Sequence, residues 1–290
     1  MPFSMRTTIT VILCFALSVA VLFVATNRIR DALAAPTPPI NQASYAEIST
    51  TSSQGTLVAT SSKDINLPII VYHIVRPHYQ GDSAAVRALA LTPEAFDAEM
   101  NYLGTAGYHV VQFSDLENYF ENGIALPQNP VIISFDDGWS DQFTYAFPIL
   151  EKYHYAATFF VFTNAIGRHG FLSWDNLQTL VSDGMTIGSH SESHPYLTHI
   201  TDPKILWNEI SDSKQVLQDH LGITVNEFAY PFGMYNASII ALVQKAGYRS
   251  ARGDFYSGEQ NISRLYTLSA MNAPTTTALF ERRFPIKASS

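Results

Sequence analysis

The sequence predicts an α/β fold: an irregular (β/α) barrel of about seven parallel strands forming a single domain. Three observations predict it. Short apolar runs of strand length alternate with amphipathic helical stretches through nearly all of residues 67–287, and such alternation implies parallel strands joined by crossover helices. About seven or eight of these units favour a closed barrel over an open, doubly wound sheet. No glycine-rich phosphate loop follows any strand, so the dinucleotide-binding form of the open sheet lacks its usual support.

The elements follow in order. LPIIVYHIV, from Leu67, is a buried strand. TPEAFDAEMNYLGTAG is a helix with Thr92 as N-cap, Pro93 in the first helical position and Gly107 as its stop. YHVVQF is strand-like and SDLENYFENG helical, with Ser114 as the expected cap. PVIISF is a strand, DQFTYAFPILEKYH a helix, AATFFVF a strand and SWDNLQTLVSDG a helix. MTIGS is a short strand, DPKILWNEISDSKQVLQDHLG a long helix, NEFAY a strand and NASIIALVQKAG a helix. YRSAR and LYTLSA are the last expected strands.

Ahead of this lies an apolar run over residues 9–25, preceded by Arg6. It fits a membrane anchor or a signal segment, assigned here to residues 1–35, and either implies export. An A-x-A-like site at Ala32-Leu33-Ala34 stands well past the run, with Arg28, Arg30 and Asp31 between. The one cysteine, Cys14, sits inside the run, so the globular part has no thiol chemistry. Residues 36–66 are rich in Pro, Ser, Thr, Ala and Gln and read as a linker. A net charge of −8 without a basic cluster argues against nucleic acid as a partner. A monomer is expected, held to the membrane through its N-terminal helix or secreted after cleavage.

Functional groups of a barrel gather where strands end. His73 ends the first strand, Asp136 and Asp137 end PVIISF, His190 and His194 follow MTIGS, and Tyr230-Pro231-Phe232-Gly233 follows NEFA. His190 and His194, spaced H-x3-H, lie on one side of a helical turn or tight loop. With a carboxylate they make two nitrogens and one oxygen, leaving a fourth tetrahedral position open, as in a catalytic zinc site. The spacing also suits surface or capping histidines ahead of Pro195. Consecutive strand residues point to opposite faces, so Asp136 and Asp137 address one site only if Gly138 turns the chain. One Asp then ligates and the other stays free, unless one merely caps the next helix.

SFDDGWSD, GSHSESHPYL and FAYPFGMYN, in this order, resemble the three motifs of the polysaccharide deacetylases of carbohydrate esterase family four, over about residues 67–284. The resemblance implies that Asp136 is the general base and that Asp137, His190 and His194 hold a divalent metal, zinc first, with cobalt, nickel or iron as alternatives. It implies that the backbone N–H of Phe232 holds the oxyanion, while Tyr230, Pro231, Phe232 and Trp139 line the substrate groove. Two departures stand out. The arginine that many members carry just before the third motif's proline is replaced by Ala229 and Tyr230. No histidine follows His220, so the usual C-terminal general acid is missing.

His73 in VYHIV is the candidate acid, or else a buried, hydrogen-bonded histidine beside the site. With LTPEAFDAEMNYLGTAGYHVV and FAYPFG, this stretch resembles the exported subgroup that deacetylates poly-β-1,6-N-acetylglucosamine in biofilm matrices. His78, His109, His154, His169 and His220 read as surface residues, and His199 is a near miss for a further ligand. The expected activity is metal-dependent release of acetate from an extracytoplasmic N-acetylglucosamine polymer. A glycan-binding protein of the same fold, or a deacetylase of peptidoglycan or chitin oligomers, is the alternative.

Overall fold

The computed structural model describes residues 64–254 and 258–287. The anchor or signal segment, Cys14 and the linker up to residue 63 lie outside the described residues. Among the described residues no helix is long and apolar enough to cross a membrane.

An eight-stranded parallel sheet forms the frame. Its strands are β1 (Ile69–Tyr72), β2 (His109–Val110), β3 (Pro130–Phe135), β4 (Thr158–Val161), β5 (Thr186–Ser189), β6 (Glu227–Ala229), β7 (Ser250–Arg252) and β8 (Met271–Asn272). The spatial order is β7-β6-β5-β4-β3-β1-β8, with β2 paired to the start of β3. Helices α1 (Pro93–Thr105), α2 (Phe113–Asn122), α3 (Phe147–Tyr153), α4 (Trp174–Ser182), α5 (Pro203–Leu221), α6 (Ala237–Lys245) and α7 (Thr277–Arg283) intervene. The result is the curled (β/α) barrel that the alternation predicted.

Side-chain alternation along the strands produces two cores. Ile70, Tyr72, Ile133, Phe135, Phe159 and Val161 face the helices, whereas Ile69, Val71, Ile132, Phe160 and Ala229 fill the barrel. Phe135 stacks on Phe159 with ring centroids 4.8 Å apart and meets Phe96 of α1 edge-on at 5.8 Å. Burying one such phenylalanine contributes roughly 1.5–3 kcal/mol. Both faces of the strands are buried, which is why they read as unbroken apolar runs.

Helix α1 starts at its expected cap, Thr92, and the side chains of Ser173, Asp202 and Asn236 likewise each accept a bond from a first-turn amide. Helix α2 differs. It starts at Phe113 with Gln112 as N-cap, because the Asp115 carboxylate reaches back to the Gln112 amide at 2.8 Å, so Ser114 lies inside the first turn. The helix expected through DQFTYAFPILEKYH contains a π turn, Gln142–Ala146, ahead of α3. Pro148 has no N–H to give the carbonyl one turn back, and the ladder rearranges before it. Ile65–Asn66, assigned to the linker, instead pair antiparallel with Glu259–Gln260.

LYTLSA is not a strand. The Leu268 amide donates to Ala251 and its carbonyl accepts from Gly253 on the β7 edge; Met271–Asn272 then pair with Ile70–Val71 of β1. One stretch thus links both edges of the curled sheet. Between them the buried Gln260 side chain stands in for a strand, accepting from the Ser269 amide (3.1 Å) and donating to the Ser269 and Leu67 carbonyls (2.8 and 3.1 Å).

Behind β1, the Tyr72 hydroxyl donates to Glu99 Oε2 at 2.8 Å, and Glu99 is fully buried. Burial pushes the Glu99 carboxyl from 4.5 up to about 8. The folded protein therefore keeps a proton there that the unfolded chain has released, so stability is present below about pH 4.5 and declines up to about pH 8. Glu99→Gln should flatten that decline, by up to about 1.4 kcal/mol per pH unit for one proton. Urea unfolding across this range reads it, and a slope identical to the native protein's would place the dependence elsewhere.

Candidate active site

The C-terminal ends of β1, β3, β5, β6 and β7 deliver His73, Asp136, His190, Tyr230 and Arg252 to one mouth of the barrel. Asp136 continues the strand and is buried. Asp137 leaves it in the left-handed region, φ 71°, followed by Gly138 at φ 73°. The turn expected of Gly138 alone is thus made by both residues, the first at a cost of about 1–2 kcal/mol. A Cβ on Gly138 would lie 2.8 Å from Val161 Cγ1, so glycine is required by space as well as by angle. Trp139 Nε1 donates to Asp137 Oδ2 at 3.0 Å, which leaves Oδ1 facing the histidines.

His190 and His194 sit on a tight loop, not a helical turn. Ser191 and His194 have φ of 70° and 59°. The loop is held from α5: Glu209 accepts from the amides of Glu192 (3.1 Å) and Ser193 (2.8 Å) and from the Ser193 hydroxyl. Ser191 Oγ accepts from the His194 amide at 3.0 Å. His190 Nδ1 is 2.8 Å from the Ala229 carbonyl and donates to it, so Nε2 carries the lone pair. Burial pushes His190 down to about 4 against the pull of Asp136, so the ring is neutral near pH 7.

The ligand atoms form a small triangle. His190 Nε2 to His194 Nε2 is 3.1 Å, His194 Nε2 to Asp137 Oδ1 is 3.3 Å, and His190 Nε2 to Asp137 Oδ1 is 3.7 Å. A tetrahedral ion with bonds of about 2.0–2.1 Å requires ligand separations of about 3.3 Å. The residues fit such an ion, and among the described residues no other cluster does. Two nitrogens and one oxygen suit several divalent ions, so the set does not identify the metal.

Beside the triangle, Asp136 Oδ1 pairs with Arg252 Nη2, while Oδ2 lies 3.9 Å from His190 Nε2. Burial alone would raise the Asp136 carboxyl, but Arg252, then His190 and His73, outweigh it and hold it below the ordinary carboxylate value. Arg252 is fully buried, lies over the Phe160 ring at 4.7 Å, and reaches Asp254 at 3.5 Å.

Sequence reasoning missed Arg252, although an orienting arginine was looked for at Ala229. Those two residues are direct partners in the β6–β7 register. The guanidinium comes from the neighbouring strand, and its signal was a charged residue closing the run YRSAR. Glu209 and Gln142 were missed as well. Buried Gln142 donates to the carbonyls of His73 (2.7 Å) and Asp136 (2.6 Å), joining the ends of β1 and β3.

The His73 ring is half-buried and lies within electrostatic reach of both Asp136 and Asp254. Tyr230 and Pro231 were expected to line the groove. Both are buried, with the Tyr230 hydroxyl on the Tyr266 carbonyl at 3.0 Å, so they support the loop from beneath. Phe232 is exposed, with φ 58°. The amides of Tyr230, Gly233 and Met234 are hydrogen-bonded within the loop and its surroundings, and that of Phe232 falls between them. Trp139 is half-buried and stacks on Phe171 at 4.6 Å. His220 stacks on Trp174 and His199 on Tyr196, and neither belongs to the cluster of Asp137, His190 and His194.

Residues 123–251 match the family model described as polysaccharide deacetylase. The Bacillus subtilis (strain 168) protein YxkH is 27% identical over 189 residues, 65% of this chain and 64% of that protein. A Staphylococcus epidermidis poly-β-1,6-N-acetyl-D-glucosamine N-deacetylase is 26% identical over 57% of this chain and 61% of its own length. The match thus spans less than two thirds of either relative. In fold, the chain is similar to the Streptococcus pyogenes deacetylase PplD in complex with acetate, with a TM-score of 0.70 at 22% identity over 79% of this chain and 100% of that one.

Arg252→Met would strand the buried Asp136 charge and should cost about 3–5 kcal/mol of stability. Urea unfolding measures it, and a loss under about 1 kcal/mol would mean that Asp136 does not depend on this partner.

Proposed function

We propose, from the premise that residues 123–251 form a polysaccharide deacetylase domain, that this chain uses a divalent cation to remove N-acetyl groups from an extracytoplasmic polymer of N-acetylglucosamine. The observation that carries the reading is a buried, ionised carboxylate, Asp136, set beside the triangle of Asp137, His190 and His194. A protein that only bound glycan would have no use for a base there. The β-1,6-linked polymer is the first substrate to test, because the Staphylococcus epidermidis relative is named for it. Zinc is the first metal to test, and the apolar run at residues 9–25 supports export.

In the proposed reaction Arg252 fixes one oxygen of Asp136 and leaves the other facing the site. Water attacking the acetyl carbon gives its proton to that oxygen as the C–O bond forms. The carbonyl oxygen gains charge in the same step, and the Phe232 amide is the donor that meets it. When bound, a divalent cation supplies Lewis acidity, polarising the carbonyl and making water easier to deprotonate. His73, on the same mouth of the barrel, gives a proton to the nitrogen as the C–N bond breaks. Acetate and a free amine are the products.

Acetate release by the full chain from β-1,6- and β-1,4-linked N-acetylglucosamine oligomers, with and without chelator, tests the reaction. Release that chelator abolishes and added zinc, cobalt or nickel restores is expected, faster on the β-1,6 linkage; no release from either would overturn the proposal. Asp136→Asn should keep its metal and lose at least about 100-fold in rate, whereas His194→Ala should lose metal by elemental analysis. Undiminished release from the first, or full occupancy in the second, would remove the residue from its role. His73→Ala should slow release by about 100-fold without metal loss, and an unchanged rate would assign His73 to structure.

A further inference from the structure

Within the loop 230–233 the side chain of Phe232 alone reaches solvent: it is 45% exposed, while Tyr230 and Pro231 are buried. Its left-handed backbone is a conformation that a residue with a Cβ keeps only when its surroundings hold it. Two rings do so. Tyr196 lies flat on Phe232, with centroids 3.9 Å apart and planes within 10°. His194 meets the same ring at 4.6 Å and 63°. Tyr196 stands two residues beyond His194, so the stack joins the histidine loop to the Phe232 loop.

Tyr196 is itself 43% exposed. A pair of exposed aromatics beside a glycan site invites the reading of a sugar platform, and the geometry argues against it. A platform needs a free ring face. Here Phe232 and Tyr196 cover one another, and His199 is also stacked on Tyr196, at 5.1 Å and 24°. The face that each ring turns to the other is closed to a sugar.

We infer that Tyr196 is a positioning residue: its ring holds Phe232 in the left-handed conformation that presents the Phe232 amide at the mouth of the Asp137–His190–His194 triangle. The inference rests on the deacetylase reading for its catalytic consequence, since the amide matters as a donor to the acetyl oxygen. A preorganised donor aimed at developing charge loses its effect when the backbone carrying it is free to turn away. The side chain that fixes the backbone then governs the rate without touching substrate.

Tyr196→Ala and Tyr196→Phe in the full chain separate the possibilities. Hydrogen exchange of the peptide containing residues 230–235, followed by mass spectrometry, reads the loop without reference to turnover. Kinetics of acetate release from N-acetylglucosamine monomer and from an oligomer read the consequence. Tyr196→Ala should speed exchange and lower kcat by about tenfold or more on both substrates, with KM changed by less than about threefold. Tyr196→Phe keeps the ring and should restore both measurements. Unchanged exchange in Tyr196→Ala would overturn the inference whatever the rates, and a rise in KM on the oligomer alone would replace it with a sugar-stacking role. If the native chain releases no acetate, the deacetylase reading fails, while the exchange comparison still decides whether Tyr196 holds the loop.

Discussion

The buried ion pair between Asp136 and Arg252 is the interaction on which the candidate site depends. A carboxylate that is 3% exposed would ordinarily take up a proton, because burial penalises its charged form. The fully buried guanidinium on the adjoining strand reverses that preference and also fixes which oxygen faces the triangle. A lysine in its place would supply a point charge without the planar fork that sets orientation. Asp136 has this partner only because β7 pairs with β6 in the register that sets Arg252 against Ala229.

A second constraint is the backbone. Of the six described non-glycine residues with positive φ, four, Asp137, Ser191, His194 and Phe232, belong to the site. Each such residue costs of order 1–3 kcal/mol unless its surroundings determine it, and each has a determining neighbour here. Trp139 holds the Asp137 carboxylate, Glu209 and Ser191 Oγ hold the histidine loop, and Tyr196 covers Phe232. These left-handed turns at the barrel mouth bring Asp137, His190 and His194, from two different strand ends, within 4 Å of each other, and the anchors come from the loops around them and, through Glu209, from helix α5.

These anchors are ordinary pieces of the fold used twice. Helix α5 buries Ile210 and Leu217 against the sheet and carries Glu209 on the same face. Gln142 sits in a π turn that Pro148 imposes, and from there its side chain reaches the carbonyls of both His73 and Asp136. Gln260 completes the hydrogen bonding of a stretch that belongs to neither sheet edge entirely. Packing and site geometry therefore share residues.

Local chemistry was legible in the sequence. Apolar runs buried on both faces marked the strands, the Thr92 cap with Pro93 marked the first long helix, and the carboxylate and histidine motifs at strand ends marked the residues that meet at the mouth. Each of those signals lies within a few residues of chain. Whatever depended on register between distant segments did not show: that Arg252 would stand where an arginine was sought near Tyr230, that Tyr230 would be buried while Phe232 was exposed, and that LYTLSA would bridge two edges instead of forming a strand. Pairing register and ring stacking are properties of segments tens of residues apart, and only the tertiary structure brings them into contact.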